Sequence, residues 1–245
     1  MRVVGLDPSL NGFGVVELSF PGSVLTRTGL FKTPSDMVFV DRYTTQRDRV
    51  LSFLKETPPD MVGVESPPFH ASFSEGMYAL FVMTNEAIRA LGLNVVYFSP
   101  GQVKQHAHEF LNRPKGWKME KSDLIEAARR SSGVAKWNHN VADAHRIACM
   151  AGRFWSFLEG EVKESELTPV EKEIFTRTHT FQRGKNAGKT EETGLIYREN
   201  DRFFRWSCES GGVRPENSTS LLPPILSREA DLHAGSSTGP RTKAP

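Results

Sequence analysis

Three acidic residues stand where a carboxylate can do chemistry. Asp7 follows the apolar run Val3, Val4 and Leu6, whose β-branched residues read as a buried strand. Asn11-Gly12 then signals a turn, and residues 13–16 read as the returning strand of a hairpin. A carboxylate on a central strand, beside glycines that let backbone or phosphate come close, suits a metal or phosphate site. The plainer alternative is an Asp-Pro pair that only forms the turn. Residues 61–64 repeat the pattern as an apolar strand with Glu65 at its end, and open α/β sheets place their sites at that carboxyl end. Asp143 falls in the early turns of a helix over residues 138–155, with Asn140 at i−3 and His139 at i−4. Taken singly, Asp143 is an acid favoured near a helix N-terminus, and His139 and His145 are ordinary surface histidines. Two strand-end acids on neighbouring strands argue for more.

The intervening chain reads as alternating strands and helices. Residues 25–31 continue the sheet. Residues 38–55 carry Val40, Tyr43, Val50, Phe53 and Leu54 at helical spacing, with Arg42, Arg47 and Arg49 outward, and Pro58-Pro59 ends that helix. A helix over 74–92 presents Met77, Leu80, Phe81, Ala87, Ile88 and Leu91 to the core. A strand over 94–98 and helices over 102–110 and 121–130 follow. The helix over 138–155 has a small-residue face, Ala144, Ile147, Ala148 and Ala151, suited to close packing on a sheet.

At 245 residues the chain makes one good-sized domain, or one domain with an appendage. Its 38% hydrophobic content is low for a compact enzyme, and its 15 prolines point to stretches outside a core. A net charge of +2 says little about partners, so the placement of lysine and arginine matters more. From Lys104 to Arg153 basic residues outnumber acidic ones. Arg113-Pro114-Lys115-Gly116-Trp117-Lys118 is a basic loop containing an aromatic, either solvated or phosphate-binding. Cys149 and Cys208 fit no metal spacing and indicate a reducing compartment. With no membrane-length apolar run and no signal-peptide core, a soluble, cytoplasmic protein without a membrane partner is expected.

Composition changes near Glu159. Thr168-Pro169-Val170-Glu171 is a capping box that opens a helix running to about Arg177. Arg177, His179, Arg183, Lys185 and Lys189 form a basic stretch containing GKNAGK, which lacks P-loop spacing. Residues 195–198 and 203–206 read as a β-hairpin, and beyond Gly211 the Ser, Pro, Gly and Thr content predicts disorder. The expected division is a domain over 1–158, a basic helix and hairpin extension over 159–210, and a disordered tail over 211–245. The extension reads as a DNA-binding or dimer-stabilising appendage, or as a passive surface addition.

Four motifs in order, GLDPSLNGFGVV, VGVESPPF, SPGQVKQ with MEKSDL downstream, and NVADAHRIA, resemble the RuvC family of Holliday junction resolvases within the RNase H-like nuclease superfamily. The resemblance spans residues 1 to about 157, and the extension fits a phage-type or divergent member. It implies an α/β RNase H-like fold, a mixed sheet flanked by helices. It also implies that Asp7, Glu65 and Asp143 are metal-binding carboxylates for Mg²⁺ or Mn²⁺, two per active site. Oxygen ligands suit these ions, whereas zinc would want cysteine or histidine sets. Lys104 and Lys121 match family lysines that face the DNA near the cleaved bond, Lys121 in a catalytic role on the scissile phosphate. Arg113, Lys115 and Lys118 extend that DNA-binding surface. A family aromatic that wedges against bases has Phe69 as its nearest counterpart, one residue out of register, with Phe73 as the alternative. The family's last motif has an acid or histidine three residues before the final aspartate. Here that position is Asn140, with His139 beside it, so either is a candidate fourth ligand. An asparagine oxygen can bind a hard cation but lacks the charge of a carboxylate.

The function so implied is metal-dependent, structure-selective endonucleolytic cleavage of branched DNA, with a homodimer making paired cuts in a four-way junction. A flap or fork nuclease keeps the same chemistry, and a non-catalytic junction-binding protein is the reading that Asn140 motivates. An actin-like or sugar-kinase ATPase also opens with a strand, an aspartate and glycines. It needs a second phosphate motif and a second lobe, and the sequence offers neither. No RNA-specific module is present.

Overall fold

The computed structural model describes residues 1–67, 75–176, 178–180, 190–192, 196–199 and 202–205. In chain order the main elements are β1 (Arg2–Asp7), β2 (Phe13–Ser19), β3 (Val24–Phe31), α1 (Phe39–Glu56), β4 (Met61–Glu65), α2 (Glu75–Ala90) and β5 (Val95–Phe98). They continue with α3 (Pro100–Phe110), α4 (Lys121–Ser132), α5 (His139–Leu158), α6 (Pro169–Thr176), β6 (Thr178–Thr180), β7 (Thr190–Glu192), β8 (Ile196–Glu199) and β9 (Arg202–Arg205). The expected elements are present, with ends moved by a few residues. α3 starts at Pro100 because Ser99 caps it: its hydroxyl accepts from Gln102 N–H, and its own N–H donates to the Gln102 side chain.

Alternation along the strands sets the layers. β1 lies antiparallel to β2 and parallel to β4, β2 pairs with β3, and β4 runs parallel to β5. Successive strand side chains point to opposite faces. Val4, Leu6, Val62 and Val64 therefore meet α1 and α2 through Tyr43, Val50, Leu54, Leu80 and Ile88. Val3, Met61, Val96 and Phe98 face the other way, into a core shared with α3, α4 and α5. Burial on both faces explains why these strands read as near-continuous apolar runs.

α5 lies unusually close to the sheet because three adjacent strands have no side chain beneath it. A Cβ on Gly14 would collide with the Asn140 carbonyl, one on Gly5 with the Ala144 carbonyl, and one on Gly63 would sit 2.8 Å from Ala151 Cβ. The small-residue face expected on this helix is the face that packs there.

Beyond Leu158 the described residues up to Phe175 pack on the same core. Ile174 and Phe175 of α6 are buried in it, and Phe175 meets Phe154 edge-on with ring centroids 5.3 Å apart. The expected hairpin is β8–β9, but it does not stand apart. β8 pairs antiparallel with β5, giving a seven-stranded sheet in the order β3-β2-β1-β4-β5-β8-β9. β6 and β7 form a separate antiparallel pair flanking the basic stretch, a pairing that the sequence reading did not anticipate. GKNAGK and the tail over 211–245 lie outside the described residues. Among the described residues no helix is long and apolar enough to cross a membrane.

Candidate active site

The alternation that layers the domain also assembles the acids. Along β1, Val3, Gly5 and Asp7 share a face; along β4, Met61, Gly63 and Glu65 do. Gly5 lies opposite Gly63, so Asp7 and Glu65 come two residues further on, both on the α5 side. Ile147 and Ala151 lie over Gly63, and Asn140 lies over Gly14, the partner of Asp7. α5 thus runs back toward the carboxyl ends of the strands as its numbering falls. Four helical residues advance about 6 Å and two strand residues about 6.6 Å, so Asp143 stays level with the two strand acids.

Electrostatics reports their proximity. Asp7, 8% exposed, is pushed well above the usual carboxylate range by burial, then by the charges of Glu65 and Asp143, with Lys121 opposing. Burial and then Asp143 push Glu65 up to about 7, against Lys104. Burial raises Asp143 to about 6, with Lys121 and then Lys104 opposing, and its Oδ1 is buried without a hydrogen-bond partner. Three like charges gathered in a partly dry place, with an unpaired carboxylate oxygen, form a donor set for a hard cation. Among the described residues no group of three histidine, cysteine, aspartate or glutamate side chains is drawn together tightly enough to hold a metal ion by itself. Mg²⁺ ordinarily takes only one or two carboxylates, with water and phosphate oxygens completing its shell, so the set fits it.

Two exposed lysines flank the acids. Lys104 lies on α3, which the Ser99 capping box launches directly from the end of β5, and Lys121 is the first residue of α4. Lys121 acts on Asp7 and Asp143, Lys104 on Glu65 and Asp143.

The remaining expected residues fall in different settings. The Asn140 side-chain NH₂ donates to the Gly12 carbonyl, buckling the start of α5 to the β1–β2 turn. Its backbone N–H donates to the side chain of the N-cap Asn138 at 3.0 Å. His139 is half-buried, its pKa lowered by burial and then by Lys121. Lys115 and Lys118 are exposed on the loop before α4, whereas Arg113 is engaged with Asp123 through Nη2–Oδ1 at 2.6 Å. Phe69 and Phe73 lie outside the described residues.

Arg42, expected to point outward, is buried, 7% exposed. Its Nη2 donates to the Leu10 carbonyl at 3.1 Å and also to Asn11. Gln46 Nε2 and Thr33 Oγ1 donate to the same carbonyl, at 2.8 and 2.9 Å. Arg42 and Gln46, one turn apart on α1, thereby fix the loop that follows Asp7. The available signal was the turn itself, whose carbonyls need donors once it is packed under a helix.

No family model matches the chain. Among solved structures, Thermus thermophilus RuvC in complex with Holliday junction substrate is similar at 24% identity, over 60% of this chain and 90% of that one, with a TM-score of 0.52. A second Thermus thermophilus RuvC structure gives 26% identity over 60% and 91%, with a TM-score of 0.49. A Fowlpox virus resolvase with its substrate Holliday junction DNA gives 11% over 60% and 95%, with a TM-score of 0.34. The described chain, a mixed sheet flanked by helices, has the RuvC-like, RNase H-type α/β fold.

Proposed function

We propose that the protein is a metal-dependent, structure-selective DNA endonuclease that resolves four-way junctions by paired phosphodiester hydrolysis. The observation that carries this reading is the meeting of Asp7, Glu65 and Asp143, from β1, β4 and α5, between two exposed lysines. Carboxylates from three separate elements can surround a site that no single segment could. Asp7, which feels the charges of both other acids, would hold the ions together with Glu65 and Asp143. The chemistry that bound Mg²⁺ or Mn²⁺ supplies here is polarisation of the attacking water and stabilisation of charge on the leaving 3′ oxygen. Lys121 would neutralise the scissile phosphate, and Lys104 would face the DNA near the cleaved bond. Lys115 and Lys118 extend the cationic surface toward a DNA arm. A four-way junction needs two matched cuts, which a two-fold homodimer supplies.

The decisive experiment is cleavage of a labelled synthetic four-way junction beside flap, fork and duplex DNA, with Mg²⁺, Mn²⁺ or EDTA. Symmetric, metal-dependent nicks on the junction are expected. Asp7→Asn should lower the rate by more than about a hundredfold, beyond the cost of disturbing a residue that only supports a metal ligand, while leaving binding largely intact. Equal cutting of flaps and forks would replace the resolvase with a general branch nuclease. Asn140 favours one second reading, a junction-binding protein that does not cut, since an amide bonded to Gly12 stands where the family carries an acid or histidine. Tight binding without nicking in either metal would select it.

A further inference from the structure

The loop over residues 111–120, between α3 and α4, holds a tryptophan in a fixed pose while leaving it 48% exposed. The indole N–H of Trp117 donates to Asp123 Oδ2 at 3.2 Å. The same carboxylate accepts Arg113 Nη2 at 2.6 Å and the Glu120 N–H at 3.0 Å, and it is itself buried. Arg113 Cζ lies over the ring, 5.1 Å from its centroid. The backbone is held too: the Trp117 N–H donates to the Pro114 carbonyl at 3.0 Å, with Gly116 at a φ of 85° to make the turn. His108 Nε2 lies 3.1 Å from that same carbonyl. One edge and one face of the indole are thus engaged, yet about half of its surface meets water. Large aromatic area is ordinarily withdrawn from water, because its burial is favourable. Here the loop spends several hydrogen bonds on keeping the ring oriented and outside.

What surrounds the ring indicates its ligand. Lys115 and Lys118 are exposed and flank it in the sequence, and the loop leads directly into Lys121 at the candidate active site. An aromatic face between cations is the arrangement that binds a nucleic-acid strand, the cations taking phosphates and the ring taking a base. Continuous duplex offers no free base face, whereas the open centre of a four-way junction does, since stacking is interrupted there and the innermost base pairs each expose a face.

We infer that Trp117 is a stacking platform for an unstacked DNA base near the cleaved phosphate, oriented by Asp123 and Arg113 and flanked in sequence by Lys115 and Lys118. This rests on the DNA nuclease reading. It adds a base contact on the α4 side of the site, away from the segment that contains Phe69 and Phe73. Because every base has a π-face, the contact selects unstacked over stacked bases without reading a particular sequence.

The test measures binding of the full chain in EDTA, which prevents cutting, to a labelled four-way junction and to a continuous duplex of equal length. The junction carries 5-iododeoxyuridine beside the crossover for photo-cross-linking. Trp117→Ala should weaken junction binding roughly five- to a hundredfold while moving duplex binding by less than about threefold. Trp117→Phe cannot donate to Asp123 but still stacks, so it should stay within about threefold of wild type. The cross-link should map to the peptide containing Trp117 and vanish in Trp117→Ala. Unchanged junction binding by Trp117→Ala would overturn the platform while leaving the nuclease reading intact. So would equal weakening in both variants, which would make the indole a tether for Asp123. Wild-type protein that binds neither DNA would overturn both.

Discussion

The protein buries acids in two ways. Around α6, Glu171 is 6% exposed and fully engaged: Arg153 Nε lies 3.2 Å away, the Thr168 N–H donates at 3.0 Å, and His106 Nε2 approaches to 3.8 Å. Burial alone would raise its pKa, but these partners outweigh burial and hold it below the usual range. Asp123 behaves alike, its burial outweighed by the Glu120 N–H, Trp117 and Arg113. At the carboxyl ends of β1 and β4 the balance reverses. Asp7, Glu65 and Asp143 are pushed up by burial, and Asp7 and Glu65 also by neighbouring acids. The fold satisfies buried carboxylates in one place and leaves them repelling in another, and the second set is the one we propose as ligands for an external cation.

Three substitutions would break or sharpen this contrast. The largest effect is expected from Gly5→Ala, which changes no acid. The added methyl must displace the Ala144 carbonyl and so lift α5 off the sheet, carrying Asp143 away from Asp7. Overpacking of this kind costs about 1–3 kcal/mol or more. Thermal unfolding should show the loss of stability, and any folded remainder should have lost metal-dependent cleavage. Next comes Glu171→Gln, which leaves Arg153 and His106 short of their charged partner. A loss of about 1–3 kcal/mol in denaturant unfolding is expected, with the metal requirement of cleavage unchanged.

The smallest effect should have the opposite sign. Glu65 titrates near 7 when folded and near the ordinary carboxyl value when unfolded, so the folded state holds its proton more tightly. Its contribution is fully present below the unfolded value and is lost as pH rises through about 7. Glu65→Gln in EDTA should therefore raise the Tm by a few degrees at pH 8 and hardly at all at pH 4. An equal gain at both pH values would point to packing rather than charge.

Much of the site was legible in the sequence because its acids terminate apolar runs. The period of two then decides which face they share, as the steps from Val3 to Gly5 to Asp7 and from Met61 to Gly63 to Glu65 show. The small face of α5 was legible for the same reason: alanines at helical spacing announce close packing. What escaped depended on partners far away in the chain. Arg42 read as outward because arginine is seldom buried; only the folded Leu10 carbonyl gives it an interior role. Asn140 was placed by its spacing from Asp143, but no local pattern reveals its bond to Gly12. The composition change at residue 159 suggested an appendage, yet Phe175 of α6 lies fully buried in the main core, because burial follows side-chain packing rather than segment composition.

The pairing of β8 with β5 has a consequence for self-association. β5 is a four-residue, wholly apolar strand, VVYF, and its outer row of N–H and C=O groups would form the open border of the sheet. Such a border templates strand addition from any neighbouring molecule. By pairing its own Tyr197 and Arg198 with Val96 and Val95, the chain covers part of that border with an internal strand, and among the described residues the sheet's margin moves outward to β9, whose RFFR sequence has an arginine at each end. Charged residues on a marginal strand are a recognised brake on intermolecular pairing. The hairpin thus leaves less of the apolar β5 border open to strand addition from another molecule.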